Sequence, residues 1–278
     1  PPYGWWPLAF VGIAVWDQLL ADQRAIVRFR RSWLVAATWL FPTMLWMWDL
    51  TPPGYLIAGT AYAAYFGVAC ALVPAGRGRR LALPGAIVLA ELARWSFPFG
   101  GVPLATLAMS QATTPLLPAA HLGGALLLSG LVVVGGVALS AAWDRQWQPA
   151  LVAAAVLVGT VSIAMALPRA EVIDEIDVAV VQGGGEQRTR ARDTDAREVF
   201  ERHLEASERV TLPVDLVLWP ENVVSVDGEL VDNVEHDELL ELAARLGAPV
   251  IIGTTEGISD ENFRNASVVY SPDGTADE

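Results

Sequence analysis

Six long apolar runs occupy the first 170 residues of this 278-residue chain and constrain its fold more than any other feature. A helix needs roughly 20 apolar residues to cross a bilayer, and each run approaches that length. The runs show almost no amphipathic periodicity, which argues against buried helices of a large soluble protein. We therefore predict a polytopic helical membrane domain with about six spans. The runs lie at about 5–21, 32–48, 53–74, 82–97, 119–142 and 149–167.

Charge divides the chain near residue 170. Residues 1–170 carry ten arginines and five acidic residues, a net charge of +5, whereas residues 171–278 carry eight arginines and 26 acidic residues, a net charge of −18. We therefore predict a transmembrane helical domain at 1–170 followed by a water-soluble domain at 171–278. The acidic second domain argues against nucleic acid as a partner.

Arginine placement predicts the orientation in the membrane. Cytoplasmic loops of membrane proteins are enriched in Lys and Arg. The arginines of the first domain concentrate in three loops, at 22–31, 75–81 and 143–148. With six spans these loops fall on one side of the bilayer, which we expect to be the cytoplasmic side. The soluble domain then lies on the extracytoplasmic side.

Both ends of the sequence are abrupt. The chain opens at PPYGWWPLAF without an initiating Met or a charged leader, and it stops at YSPDGTADE shortly after a turn. We expect a fragment that lacks at least one preceding helix and the C-terminal part of the second domain.

The sequence of the second domain predicts alternating strands and helices. Apolar, β-branched runs predict four strands, and two segments with helical spacing lie between them, the second ending at Gly247. The order β-α-β-α-β-β predicts an α/β layered domain whose sheet is covered by helices and is only part of a larger sheet. The predicted strands are 176–183, 215–221, 248–257 and 265–274, and the predicted helices are 193–210 and 236–247.

The stretch DLVLWPENVV, residues 215–224, places Glu221 at the carboxyl end of an apolar strand. Pro220 cannot donate to a sheet ladder and marks the exit of the strand. Ligands of open α/β sheets bind at the carboxyl ends of the strands. We expect the carboxylate, flanked by Trp219 and Val223, to be partly desolvated and suited to act as a general acid or base. From position alone, a solvated loop glutamate or a helix cap remains the alternative.

Other reactive residue types are sparse. The single cysteine, Cys70, lies in the middle of a predicted span, where we interpret it as a packing residue. His121, His203 and His236 lack the spacing of metal ligands, so no metal site is predicted. Gly183–Gly185 lacks the spacing of a dinucleotide loop, and we predict no cofactor.

Five segments along the chain are PPYGWWPLAF, ELARWSFPFGGVPLATLAMSQ, VAVVQG, LVLWPEN and FRNASVVYSPDG. In this order and spacing they resemble the corresponding segments of apolipoprotein N-acyltransferases, which are polytopic bacterial membrane enzymes. The family's extracytoplasmic domain has the nitrilase fold, an αββα sandwich. The Asn after the Glu, the missing lysines and the arginine-rich loops suggest the actinobacterial branch.

The resemblance implies a reaction and a site. In this family a Cys thiol attacks a phospholipid ester, a Glu takes the thiol proton, and a Lys stabilises the oxyanion. The resulting thioester acylates the diacylglyceryl-cysteine at the N-terminus of a lipoprotein. By resemblance Glu221 is the base, in a multi-pass protein of the bacterial plasma membrane. The chain has no lysine, and Cys70 lies in the membrane half, so we expect this fragment alone to be inactive.

The loop SFPFGGVP, residues 96–103, is aromatic and predicted at the outer interface. We assign substrate contacts to Phe97, Phe99 and Trp219, with ordinary interfacial anchoring of the loop as the alternative. Glu91 and Arg94 lie one helical turn apart, and we expect them to pair with each other.

Two other functions stay open. One is a membrane-tethered, nitrilase-like amidase that acts on small soluble amides. The other is a non-catalytic scaffold with a nitrilase-like fold that supports a fused glycosyltransferase. A Lys shortly after residue 278 and a later Cys would favour catalysis over the scaffold.

Overall fold

The computed structural model describes residues 5–76, 78–98, 100–168, 171–185, 194–259 and 262–278. The chain divides into two compact units, Pro1–Arg169 (unit 1) and Ala170–Glu278 (unit 2). Unit 1 is mostly helical, and the described residues of unit 2 form a mixed sheet and two α-helices. These observations confirm the predicted fold class, a helical membrane domain followed by a partial α/β domain.

An α-helix corresponds to each of the six apolar runs of unit 1. The last of them, α7, buries only Ala150 and Ala164 and leaves most of its apolar surface uncovered within the unit, as suits a lipid environment. The helices are α1 Pro7–Leu20, α2 Ala25–Thr43, the short α3 Met47–Leu50, α4 Pro52–Leu72, α5 Arg79–Ser96, α6 Ala120–Trp143 and α7 Trp147–Ala166, with 3₁₀ turns at Ala108–Gln111 and Leu117–Ala119.

Among the described residues, three helical segments are long and apolar enough to cross a membrane: Pro52–Leu72, Leu117–Trp143 and Trp147–Ala166. Helix α1 is apolar but shorter, with 14 residues. Helix α2 begins at Ala25, so most of the predicted loop 22–31 is helical instead. The total of six spans and their sidedness stay predictions.

The arginine-rich ends of several helices meet at one end of unit 1. Asp17 on α1 is fully buried and accepts hydrogen bonds from Arg79 Nε at 2.7 Å, Arg80 Nε at 3.0 Å and Ser140 Oγ at 2.6 Å. Arg28 donates to the Cys70 carbonyl at the end of α4. These arginines bind a buried carboxylate and the carbonyl groups at the C-terminal end of α4, in addition to any effect on orientation.

The part of unit 2 that the structure describes forms a six-stranded sheet. Strands β1, β2, β4, β5 and β6 lie side by side in that order, and β3 also pairs with β4. Strands β1, β2 and β4 are parallel, whereas β5 and β6 are antiparallel to their neighbours. The strands are β1 Val178–Val180, β2 Leu216–Leu218, β3 Val224–Asp227, β4 Val250–Gly257, β5 Phe263–Tyr270 and β6 Ala276–Asp277.

The two helices of unit 2 share one hydrophobic core with one face of the sheet. Helix α8, Ala196–Ser207, begins at Asp195, whose side chain accepts from the Arg197 and Glu198 N–H groups. Helix α9, Val234–Leu246, ends at Gly247, which has φ +63° as predicted for a C-terminal glycine. The core contains Val199, Phe200, Leu239 and Leu242 together with Val217, Trp219, Val250 and Ile252.

Candidate active site at an interrupted strand

Glu221 lies where one edge of the sheet is interrupted. Strand β2 pairs with the first half of β4 (Leu218 with Ile251), and β3 pairs with its second half (Val224 with Thr254). Because β5 occupies the other edge of β4, β2 and β3 lie along the same edge. Residues 219–223 are the gap between them. The sequence predicted the end of β2 here but missed that the chain rejoins the same strand as β3.

At the interruption, the backbone of residues 220–222 packs closely against the backbone of β4. Asn222 has φ +57°, a left-handed conformation that turns the chain after Pro220 and Glu221. Opposite the gap stands Gly253, where an added Cβ would lie 2.7 Å from Glu221 Cα and 2.9 Å from the Asn222 nitrogen. A side chain at Gly253 would therefore displace the segment that carries the carboxylate.

We expect Gly253→Ala to destabilise unit 2 by about 1–3 kcal/mol, because the methyl group cannot be accommodated without moving residues 220–222. Gly257→Ala is the matched control on the same strand and face, since its Cβ would meet its nearest neighbour at 3.5 Å. Chemical denaturation of the two variants measures the difference. Equal stabilities would contradict the close approach.

A polar row crosses the sheet beside the interruption. Ser225 of β3, Thr255 of β4 and Asn265 of β5 are register partners. Thr255 Oγ1 lies 3.0 Å from Asn265 Oδ1 and 3.0 Å from Asn222 Oδ1. The Thr255 side chain thus joins the interruption to β5.

Glu221 itself is exposed, and its carboxylate has no hydrogen-bond or ion-pair partner among the described residues. The expected partial desolvation is therefore wrong for this structure. Its neighbours Trp219 and Val223 are both buried in the core of unit 2, so their side chains leave the carboxylate uncovered. An accessible carboxylate can still accept a proton from a group brought to it.

Trp219 is a core residue. It is 3% exposed, its Nε1 donates to Ser207 Oγ at 3.0 Å, and its ring packs against Phe200 and His203 at centroid distances of 5.7 and 5.4 Å. This position offers no surface for the substrate contact that we assigned to Trp219. The side chain instead anchors the carboxyl end of β2.

Phe97 is 67% exposed at the end of α5, and its carbonyl accepts a hydrogen bond from the Tyr65 hydroxyl at 3.1 Å. Phe99 lies outside the described residues. The exposed ring of Phe97 suits either a lipid contact or an interfacial anchor, so its role in substrate binding stays a prediction.

Glu91 and Arg94 are both 0% exposed but do not pair with each other as expected. Glu91 Oε1 accepts the Leu107 N–H at 2.9 Å, and Arg94 Nη1 donates to the carbonyls of Val102 and Leu104 at 2.9 and 2.7 Å. The two side chains bind the non-helical segment after α5, whose backbone groups need partners inside an apolar domain. Sequence spacing alone gave no sign of these partners.

A second polar cluster lies on the opposite face of the sheet from Thr255. Buried Glu256 accepts the Leu230 N–H at 2.7 Å and binds Arg264 at 2.6 Å. Burial, and then the charge of Glu256, raise the pKa of Tyr270, whose hydroxyl lies 3.0 Å from His236 Nδ1. The cluster ties β4 to β5, α9 and the preceding turn, and we interpret it as structural.

Two grooves lie away from Glu221. One, of about 650 Å³, lies along the edge strand β1 and residues 209–214. The other, of about 690 Å³, lies between α4 and α5 and is lined almost entirely by apolar side chains from Tyr65 to Ala93. Neither includes Glu221, so the site rests on the strand interruption rather than on a cavity.

Comparison with known proteins gives two findings. Residues 1–138 match the sequence model of a family described as "Apolipoprotein N-acyltransferase N-terminal domain". The chain is 26% identical to the curated apolipoprotein N-acyltransferase of Mycolicibacterium smegmatis, over an alignment of 328 positions. That alignment covers 98% of this chain and 52% of the relative. The chain therefore spans about half the length of the curated relative that it matches.

Proposed function

We propose that this chain supplies the membrane domain and part of the catalytic domain of an apolipoprotein N-acyltransferase, because residues 1–138 match the sequence model of that family's N-terminal domain. The enzyme would transfer an acyl chain from a phospholipid to the N-terminal diacylglyceryl-cysteine of a lipoprotein. The single observation that supports the catalytic assignment is Glu221, held at the strand interruption against Gly253.

In the proposed mechanism Glu221 takes the proton of a cysteine thiol that residues outside this chain supply. The sulfur attacks the ester carbonyl carbon, an S–C bond forms, the C–O bond to glycerol breaks, and Glu221 returns the proton to the leaving oxygen. The acceptor amine then attacks the thioester, an N–C bond forms, the C–S bond breaks, and the amine proton returns to sulfur through Glu221. A lysine outside this chain would stabilise both oxyanions.

The apolar surface of unit 1 supports a site at the membrane. Both substrates carry acyl chains, and moving a chain into water costs on the order of 0.8 kcal/mol per CH₂. A catalytic domain attached directly to membrane helices avoids that cost. We propose an extracytoplasmic location for unit 2 in a six-span protein of the bacterial plasma membrane.

The test is acyl transfer by the full-length protein in phospholipid vesicles that contain a diacylglyceryl-cysteine peptide. We expect mass spectrometry to show a peptide with one additional acyl chain and an equal amount of lysophospholipid. The same peptide with an acetylated N-terminus is the matched control and should remain unchanged.

Two outcomes would contradict the proposal. Hydrolysis of small amides without transfer to the peptide would indicate the membrane-tethered amidase. Neither reaction, in a protein that inserts and folds, would indicate the non-catalytic scaffold.

A further inference from the structure

We infer that Thr255 is a positioning residue for Glu221, acting through the side chain of Asn222. The inference rests on the proposed function and names a further residue that the reaction requires. Neither the position of Thr255 in the sequence nor its residue type indicated this role, since it lies 34 residues after Glu221 in a plain β-strand.

The geometry of the Thr255 hydroxyl carries the argument. It stands between two amide side chains, with Oγ1 3.0 Å from Asn222 Oδ1 and 3.0 Å from Asn265 Oδ1. A hydroxyl has one proton, so it donates to one amide oxygen, and the other amide turns its NH₂ group toward the hydroxyl oxygen. Asn222, Thr255 and Asn265 thereby form one chain of hydrogen bonds from the interruption to β5.

Asn222 links these hydrogen bonds to Glu221, its neighbour in sequence. Its φ of +57° is a conformation that costs a non-glycine residue energy, and Asn tolerates it better than most. The hydrogen bond from Thr255 holds the Asn222 side chain of that turn, while Gly253, on the same face of β4, supports the backbone of the same segment by close contact. Since Glu221 has no side-chain partner among the described residues, the backbone of this segment is what directs its carboxylate.

The predicted effect is kinetic. Without the Thr255 hydroxyl, residues 220–222 lose the hydrogen bond to Asn222 that holds them. The Glu221 carboxylate then spends less time in the position for proton transfer. Substrate binding does not involve Thr255 in this proposal. We therefore expect a lower kcat for acyl transfer with an unchanged KM for the phospholipid.

The experiment compares Thr255→Val with Thr255→Ser in the full-length protein in vesicles. Val has the shape of Thr but no hydroxyl, and we expect it to lower kcat roughly tenfold, whereas Ser keeps the hydroxyl and should restore most of the rate. Ser225→Ala is the matched control, because Ser225 is the register neighbour of Thr255 and its hydroxyl has no hydrogen-bond partner among the described residues. Its kcat should equal that of the wild type.

A second variant tests the same link without altering β4. Asn222→Gly retains the left-handed backbone and removes the amide, and it should lower kcat as Thr255→Val does. The double variant should be no slower than either single variant, because both remove one interaction.

The outcomes separate this inference from the proposed function. If Glu221→Gln remains active, the proposed function is wrong whatever Thr255 does. If Glu221→Gln is inactive while Thr255→Val and Asn222→Gly both keep the wild-type kcat, the proposed function stands and the role of Thr255 is wrong. Additive losses in the double variant would also overturn the inference.

Discussion

Asp17→Ala should destabilise unit 1 by about 3–5 kcal/mol, because it leaves the buried guanidinium group of Arg79 without a carboxylate and removes one of the two carboxylates that bind Arg80. Asp17 binds Arg79 through both carboxylate oxygens, at 2.7 and 3.2 Å, and Arg80 at 3.0 Å. The Asp17 side chain is fully buried and the two arginine side chains are nearly so, at 9% and 11% exposure. Water therefore cannot replace the lost partner as it would on a surface.

The matched control is Asp144→Ala. Asp144 also binds Arg80, at 2.5 Å, but its side chain is 34% exposed, and Arg80 keeps Asp17 when it is removed. We expect a loss below about 1 kcal/mol from this variant. Thermal unfolding of the full chain in detergent micelles measures both effects. Similar midpoints for the two variants would mean that Asp17 does not organise this end of the unit.

The helices of unit 1 could be predicted from the sequence because each apolar run has to satisfy its own backbone polar groups. What the sequence could not show is which polar side chains meet. Arg79 is 62 residues from Asp17, and Glu91 and Arg94 bind a loop rather than each other. These pairings depend on the packing of helices that are distant in sequence, which local periodicity does not encode.

The sheet of unit 2 was predicted in part for a related reason. Apolar runs identified β1, β2, β4 and β5, but β3 has the sequence VSVD, in which two polar residues and the preceding Pro220–Asn222 segment obscure a strand. The local sequence of β3 has only a weak preference for a strand, and pairing with β4 at four register positions stabilises the strand instead.

The candidate site could also be predicted only in part from the local sequence. Local sequence placed Glu221 correctly at the end of β2, because Pro220 breaks the ladder after an apolar run. Gly253 and Thr255 complete the site from the neighbouring strand, and their relation to Glu221 depends entirely on register. Exposure of the carboxylate was also beyond local prediction, since it follows from where Trp219 and Val223 pack.

Glu221→Gln in the full-length protein is expected to lower the rate of acyl transfer by about 10²- to 10⁴-fold, the usual contribution of a general base. Glutamine has nearly the same size and keeps hydrogen-bonding capacity but cannot take the thiol proton. Because Glu221 is exposed and has no partner among the described residues, the substitution should leave folding and membrane insertion unchanged. A loss of activity would then report chemistry rather than stability.

Glu229→Gln provides the control for the charge of the domain. Glu229 is also exposed and lies close in sequence, between β3 and the 3₁₀ turn Leu230–Asp232, but outside the interruption. Both variants remove one negative charge from an acidic unit, so an effect of overall charge on the approach of anionic lipid would appear in both. Acyl transfer measured in vesicles should fall only for Glu221→Gln. A wild-type rate of acyl transfer in Glu221→Gln would show that another group takes the proton. The strand interruption would then be a feature of folding alone.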